Sequence, residues 1–427
     1  MNPGLASLDI NLDALDEHSA AQLNSLPSKF SLSSTSSGPC NLSIEFGCID
    51  FRYPCRPTPL DRWYGLRELD LQHAVPESFF YVSHLPHLRV FAIKKFSESY
   101  NVDHERFASN LLPFPELQHL EIQDIALNSS YQLLPLLRCS KITSLTMLQD
   151  LNIPSNEFSI VSREEDFTSF VEGVGRHCNP AYLRTLHFTT RAPISLCVGF
   201  STLVAPLQQF SLLKSFKMRT RMCPWVSSQD ATWIGENWPN IRTLCINPSD
   251  YIERFRRPRS KLSVLSSLAH ACCELRHLEL EIDAENFCER SELLKSLALP
   301  DGSSQTNAPT LKELHVRYSP IKNRDKKLVA AYLNLIFPNL ETLTARPHSY
   351  TIADFRNRWN RIANNLLPEI RREIEEIDMN GVSDVEGELC HRRYQYMKDV
   401  EVISDAEEDD SQDKRPILSL CDYYLSE

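Results

Sequence analysis

One short pattern of apolar and polar positions recurs along the chain. Its most regular copy is residues 274–283, ELRHLELEID, in which three leucines follow the spacing L-x-x-L-x-L. Side chains alternate across a strand, so the leucines share one face and His277, Glu279 and Glu281 take the other. The pattern predicts a short strand with one buried face. We therefore expect Leu278→Asp to unfold the protein and Glu279→Lys to leave it folded.

The same spacing returns nine more times between residues 66 and 345. Such repetition is typical of repeat proteins, in which every unit contributes one strand, although the intervals between successive copies vary widely here. Two earlier segments, GLASLDI at 4–10 and LSIEF at 42–46, also have the alternation of a strand. The nine further copies are GLRELDLQ, HLRVFAIK, ELQHLEIQ, KITSLTML, YLRTLHFT, LLKSFKMR, NIRTLCIN, TLKELHVR and NLETLTAR.

The segments between these strands have the apolar spacing of amphipathic helices. One helix is predicted to begin at the capping box Ser162-x-x-Glu165, and another to stop before Pro338. Turns that contain proline (FPEL at 114, WPNI at 238, FPNL at 337) lead back into the next strand. The repeating unit is strand, turn, helix, turn, strand. The apolar stripes are Phe167, Phe170, Val171 and Val174; Leu265, Leu268, Ala269 and Cys272; and Leu328, Tyr332, Leu335 and Ile336.

These motifs resemble the leucine-rich repeat family. The segments 238–244 (WPNIRTL) and 337–343 (FPNLETL), with RW-x-x-L-x-x-L-x-L at 62–71, are similar to the repeat region of fungal F-box-like proteins. The resemblance implies an α/β solenoid with a parallel sheet on the concave face and helices on the convex face. The F-box itself is not found, because Leu26-Pro27 is followed by a Ser-rich stretch that cannot supply its helices. The chain is expected to begin inside the repeats.

The predicted organisation has four parts. Residues 1–60 form an irregular segment with one or two strands and a Ser-rich loop, and residues 61–350 form the solenoid. Residues 351–380 form a capping helix that covers the last apolar face of the array, with a break or kink at Pro368. Residues 381–427 are an acidic tail, predicted to be disordered.

The charge and the cysteine content limit the classes of binding partner and the cellular compartment that the sequence predicts. The formal net charge is −11, but eight acidic residues between Asp399 and Asp413 account for most of it and leave −3 without them. This balance favours neither nucleic acid nor a membrane as a partner. The N-terminus does not look like a signal peptide, and the 13 cysteines are scattered. Reduced thiols and a cytoplasmic or nuclear location are predicted.

The sequence predicts no catalytic residue, cofactor site or metal site. Gly173-Val174-Gly175 lies inside a helical pattern, where a phosphate loop is not expected. His270, Cys272 and Cys273, with His277 nearby, lack the paired spacing of a zinc site, and Cys272 falls on an apolar stripe. The run ERFRRPRSK at 253–261 fits a solvated inter-repeat loop, a nuclear localisation signal or a phosphate-binding patch.

The strand side chains opposite the leucines are the candidate binding site. In a solenoid they form a continuous platform on the concave face, and their mixed charges suit a protein partner. The alternative is a merely solvated surface. The candidates are His187, Lys217, Arg219, Glu279, Glu281, His315 and Arg317.

The predicted function is a non-enzymatic protein-interaction scaffold. The F-box resemblance implies the substrate-recognition part of a ubiquitin ligase, with a Skp-type adaptor as a partner only if an F-box is supplied. The alternative is a leucine-rich-repeat regulator of an enzyme such as a GTPase, for which Arg219 and Arg317 are the candidate arginines.

Overall fold

A computed structural model describes most of the repeat region and shorter segments on either side. The described residues are 7–11, 40–45, 66–74, 82–96, 113–123, 125, 133–148, 164–189, 199–220, 224–248, 260–284, 310–317, 319–345 and 353–380. Within them the chain forms one sheet. Its strands are β1 Ser7–Asn11, β2 Cys40–Glu45, β3 Leu66–Ala74, β4 Val90–Phe96, β5 His119–Gln123, β6 Ser144–Leu148, β7 Thr185–Thr189, β8 Ser215–Thr220, β9 Thr243–Pro248, β10 His277–Leu280, β11 Glu313–His315 and β12 Thr342–Thr344.

The strand order in the sheet is the order along the chain. Every strand is parallel to its neighbours, so the protein is an α/β structure with an open, all-parallel sheet. Each of the ten strands predicted between residues 66 and 345 is confirmed, as are the two earlier ones. The sheet continues from β2 into β3 through the predicted boundary at residue 60.

Seven α-helices lie in the described ranges, and the three predicted from apolar stripes are among them. Ser162, the capping residue predicted for the first of these helices, lies outside the described residues. None of the described helices is long and apolar enough to cross a membrane. The helices are α1 Glu164–His177, α2 Phe200–Val204, α3 Ser228–Asn237, α4 Val264–Ala271, α5 Lys326–Ile336, α6 Ala353–Arg361 and α7 Leu367–Asn380.

The turn that leads from helix to strand is built the same way in successive repeats. Its first residue is buried, and its carbonyl accepts a hydrogen bond from the amide three residues later. Ile241 N donates to Trp238 O at 3.0 Å, and Leu340 N donates to Phe337 O at 3.1 Å. In the repeat after α4 the first residue is Cys272, so this thiol occupies a position that an aromatic ring takes elsewhere.

Alternation along each strand separates an apolar face from a polar one. On the apolar face, Phe188 of β7 packs against Phe167 and Phe170 of α1, with ring centroids 5.6 and 5.4 Å apart. The same face continues to Phe216 and Trp238, whose rings lie 5.0 Å apart. Each such ring contributes about 1.5–3 kcal/mol when fully buried. We call the opposite surface of the sheet, which carries the alternate strand side chains, the polar face.

The C-terminal helices pack beside α5 and β12. Trp359 is buried, and its indole Nε1 donates to the carbonyl of Ser319 at 2.7 Å. Of the predicted break or kink at Pro368, the break is wrong, because the chain stays helical through this proline. A π-helical turn, Ile362–Leu366, joins α6 to α7 immediately before this proline. Proline has no amide proton to donate, and the wider turn accommodates the missing hydrogen bond.

Candidate functional site

The polar face aligns four of the seven predicted site residues in one row. In the strand register His187 pairs with Lys217, Lys217 with Cys245, Cys245 with Glu279, and Glu279 with His315. The row therefore contains one side chain from each strand, β7 to β11. The other three predicted residues, Arg219, Glu281 and Arg317, follow two positions further along their segments.

The β7–β8 end of this row is basic. Lys217 is half-buried and Arg219 is exposed. His187 Nε2 lies 2.8 Å from Ser215 Oγ, and burial lowers the pKa of His187 to about 4, with Lys217 and Arg219 adding to the effect. The imidazole is therefore neutral at pH 7, so Lys217 and Arg219 supply the positive charge.

The middle of the row differs from the sequence prediction. Glu279 and Arg317 were expected to face solvent, but their side chains are only 9% and 2% exposed and form an ion pair. Arg317 directly follows Val316, beyond the end of β11, with a φ of 45° in the left-handed region. Burial alone raises the pKa of Glu279, but the guanidinium of Arg317 more than offsets this and holds it below its usual range. The expectation that Glu279→Lys leaves the protein folded is therefore wrong, since the new cation would face Arg317.

The burial of Arg317 also bears on the alternative of a GTPase regulator. A catalytic arginine of that kind must reach the nucleotide of another protein. Of the two candidates, Arg317 is buried and paired with Glu279, and only Arg219 is exposed.

Cys245 is the residue of the row that sequence reasoning missed. Its side chain is 2% exposed, although it stands on the polar side of the strand. Burial raises the pKa of Cys245 to about 12, and the neighbouring Glu279 carboxylate adds to the shift. The thiol is therefore protonated at pH 7. The sequence did contain a signal for this position. Cys245 stands two residues after Thr243, so alternation places both side chains on the same face of the strand.

Glu281 is half-buried on the polar face. Its oxygen Oε1 is buried and has no hydrogen-bond partner among the described residues. Burial raises the pKa of Glu281 to about 7, against the opposing charge of Arg317. Ionising this carboxyl therefore costs the folded state free energy.

Glu281→Gln is expected to stabilise the protein at pH 8 and to have little effect at pH 4.5. Because the folded pKa of about 7 exceeds the ordinary value of 4.5, the unfolded chain releases its proton first. Stability is then lost as pH rises from about 4.5 to about 7, by about 3 kcal/mol in total. Urea unfolding of the wild type and of the variant at both pH values measures the difference between their free energies of unfolding. Glu121→Gln, also on the polar face, is the control. If the difference in free energy between Glu281→Gln and the wild type did not change with pH, the raised pKa of Glu281 would be contradicted.

The cysteine and histidine residues near α4 do not form the zinc cluster that was considered from the sequence. His270 Nδ1 lies 2.7 Å from the carbonyl oxygen of Ser266 in its own helix. Cys272 is buried in the turn described above, and Cys273 is exposed. Among the described residues, potential metal ligands converge in two groups. His277 belongs to both groups, whereas His270, Cys272 and Cys273 belong to neither.

The two glycines of Gly173-Val174-Gly175 have a packing role. Both lie within α1, and a Cβ added at Gly173 would stand 2.7 Å from Leu134 Cδ1. A Cβ at Gly175 would stand 2.6 Å from the Pro206 carbonyl oxygen. Close approach of the 3₁₀ turns Leu134–Leu137 and Ala205–Leu207 therefore accounts for both glycines. Residues 253–259 of the basic run lie outside the described residues.

Comparison with known proteins adds no relative. No protein-family model matches the chain, and no curated protein matches it. The leucine-rich-repeat and F-box resemblance therefore rests on the sequence motifs alone.

Proposed function

We propose that the protein is a non-enzymatic interaction scaffold that binds a protein partner on the polar face of its sheet. The observation that carries the proposal is the register of the polar face, which aligns charged side chains of successive strands into rows. Among the described residues, helices pack on the apolar face, so the polar face is the broad sheet surface that these helices leave for contact. In the leucine-rich-repeat solenoid that we infer, this face is the concave one.

The charges of the polar face suit a partner with an acidic contact site. Lys217 and Arg219 stand together on β8, and the neighbouring His187 is neutral. Further along the row, Glu279 is paired with Arg317. Among the described residues, none of the register neighbours of Lys217 and Arg219 is acidic. Complementary charge of this kind steers association and selects partners. Lys217 and Arg219 are therefore the residues that we expect to contact the partner.

The ubiquitin-ligase role is a narrower version of the same proposal. It rests on the resemblance to F-box-like proteins and requires a docking site for a Skp-type adaptor. A binding assay with purified adaptor and full-length protein tests it directly. If no complex forms, the scaffold proposal stands without the ligase role.

Charge reversal on β8 tests the binding face. The double variant Lys217→Glu, Arg219→Glu is expected to weaken partner binding by about tenfold or more, because both charges would then repel an acidic contact site. Proteins captured from cells by the wild type and by the variant are compared by quantitative mass spectrometry, and the affinity of the enriched partner is then measured.

Arg176→Glu is the matched control for this experiment. Arg176 is an exposed arginine on α1, the helix that packs on the opposite face, so its reversal is expected to leave binding intact. Equal loss of the partner with Arg176→Glu, or unchanged binding with the double variant, would overturn the assignment of the polar face.

A further inference from the structure

The polar face carries a cluster of ligand-type side chains that the proposed function does not use. His277 and Glu313 are register partners on the adjacent strands β10 and β11. His315 lies two residues after Glu313 and therefore on the same face. Histidine nitrogens and carboxylate oxygens are the ligands that zinc and related divalent ions take in proteins.

The ligand atoms lie near the separations that a small metal ion requires. Glu313 Oε2 lies 2.8 Å from His277 Nδ1 and 3.8 Å from His315 Nε2. The two imidazole rings are 4.7 Å apart between centroids. A tetrahedral zinc ion with bonds of about 2.0–2.1 Å holds its ligand atoms about 3.4 Å apart. The two observed distances lie on either side of that value, so small rotations of the side chains would complete the geometry.

The surroundings of His315 orient its ring for metal binding. Its Nδ1 is hydrogen bonded to the hydroxyl of Thr344 on β12. An Nδ1–H that donates to this hydroxyl leaves the lone pair on Nε2, the nitrogen that faces Glu313. Metal-binding histidines normally donate their other ring N–H to a nearby acceptor in this way.

The cluster is accessible from solvent. The side chains of His277, Glu313 and His315 are 25%, 52% and 26% exposed, so an ion can enter with water in its fourth position. These exposures also leave that fourth position open to a ligand from solution.

A second group shares His277 but fits a metal less well. Cys245, His277 and Glu279 also bring their ligand atoms within 4.8 Å of one another. The Glu279 carboxylate is already paired with Arg317 in a buried site, and the Cys245 thiol is buried beside it. A metal there would have to displace the guanidinium and leave it buried without its counter-ion, which is costly.

We propose that His277, Glu313 and His315 form a binding site for a divalent transition-metal ion of the zinc type. The ion links strands β10 and β11 at the polar face and keeps one open coordination position. The site shares the polar face and His315 with the candidate binding surface, but the proposed partner contacts are Lys217 and Arg219, so either proposal can fail without the other.

Calorimetric titration of the full-length, chelator-treated protein with Zn²⁺ tests the site. The wild type is expected to show one equivalent of binding that His277→Ala and His315→Ala both lose. Thr344→Val, which removes only the hydrogen bond to His315 Nδ1, is expected to weaken this binding about tenfold to a hundredfold. His119→Ala is the matched control, because His119 is an exposed histidine at the corresponding register position of β5. Circular dichroism in chelator checks that every variant is folded.

Cobalt substitution separates this site from the cysteines of the chain. A site made by two histidines and one carboxylate gives visible cobalt bands without a sulfur-to-metal charge-transfer band. If wild type and both histidine variants bind Zn²⁺ equally, the proposal is wrong. A charge-transfer band that disappears in Cys245→Ser would also overturn it, in favour of the group that contains Cys245.

Discussion

Leu278→Asp is expected to abolish the folded state. Leu278 has no solvent exposure and sits in register between Leu244 of β9 and Leu314 of β11, in the middle of the core. An aspartate there buries a charge without a partner, at a cost above about 4 kcal/mol. A domain has only about 5–15 kcal/mol of stability in total. Circular dichroism and gel filtration are expected to show an unfolded or aggregated chain.

His119→Asp is the control for this change. It introduces the same side chain into β5, but at an exposed position of the polar face. We expect a loss of at most about 1 kcal/mol, the range of strand propensities, and a cooperative urea transition. Comparable damage from the two variants would mean that the faces of the strands have been assigned incorrectly.

Breaking the buried ion pair of Glu279 and Arg317 is expected to cause the second large loss of stability. Glu279→Leu and Arg317→Met are each expected to cost about 3–5 kcal/mol, because each leaves the opposite charge buried and unpaired. The double variant Glu279→Leu, Arg317→Met removes both charges and is expected to lose much less than the sum of the two. Urea unfolding of the four proteins gives the coupling free energy directly.

An exposed ion pair provides the comparison. Lys312 Nζ lies 2.6 Å from Glu341 Oε1, with side chains 52% and 63% exposed. Lys312→Ala is expected to cost less than about 1 kcal/mol, because water screens this pair and solvates the remaining acid. Additive losses for Glu279→Leu and Arg317→Met would contradict the buried pair.

The strands were predictable because their signal is local. An apolar residue at every second position identifies the buried face of each strand, and repetition of the pattern predicts their order without knowledge of the loops. The repeated turn was predictable in part. Trp238 and Phe337 are each followed by a proline, which indicates the turn in the sequence. Cys272 occupies the same position of its turn but has no proline after it. Cys272 was assigned to the core from the apolar stripe of its helix, and its burial confirms that assignment.

The depth of a polar side chain was not predictable from alternation. The pattern tells which side of the strand Glu279 takes, but its burial depends on neighbours from other repeats, Cys245 and Arg317. The same limit applies to the proposed metal site. His277 and Glu313 meet only through the register of two strands, which the sequence does not specify.

Site-specific photo-cross-linking tests most directly whether the polar face binds a protein partner. A photoreactive amino acid is introduced in cells at Lys217 or Arg219 on the polar face, and at Arg176 on the helical side. The same partner is predicted to cross-link from both polar-face positions and not from position 176. Cross-linking from position 176 alone, or from none of the three positions while the partner still copurifies, would contradict binding at the polar face.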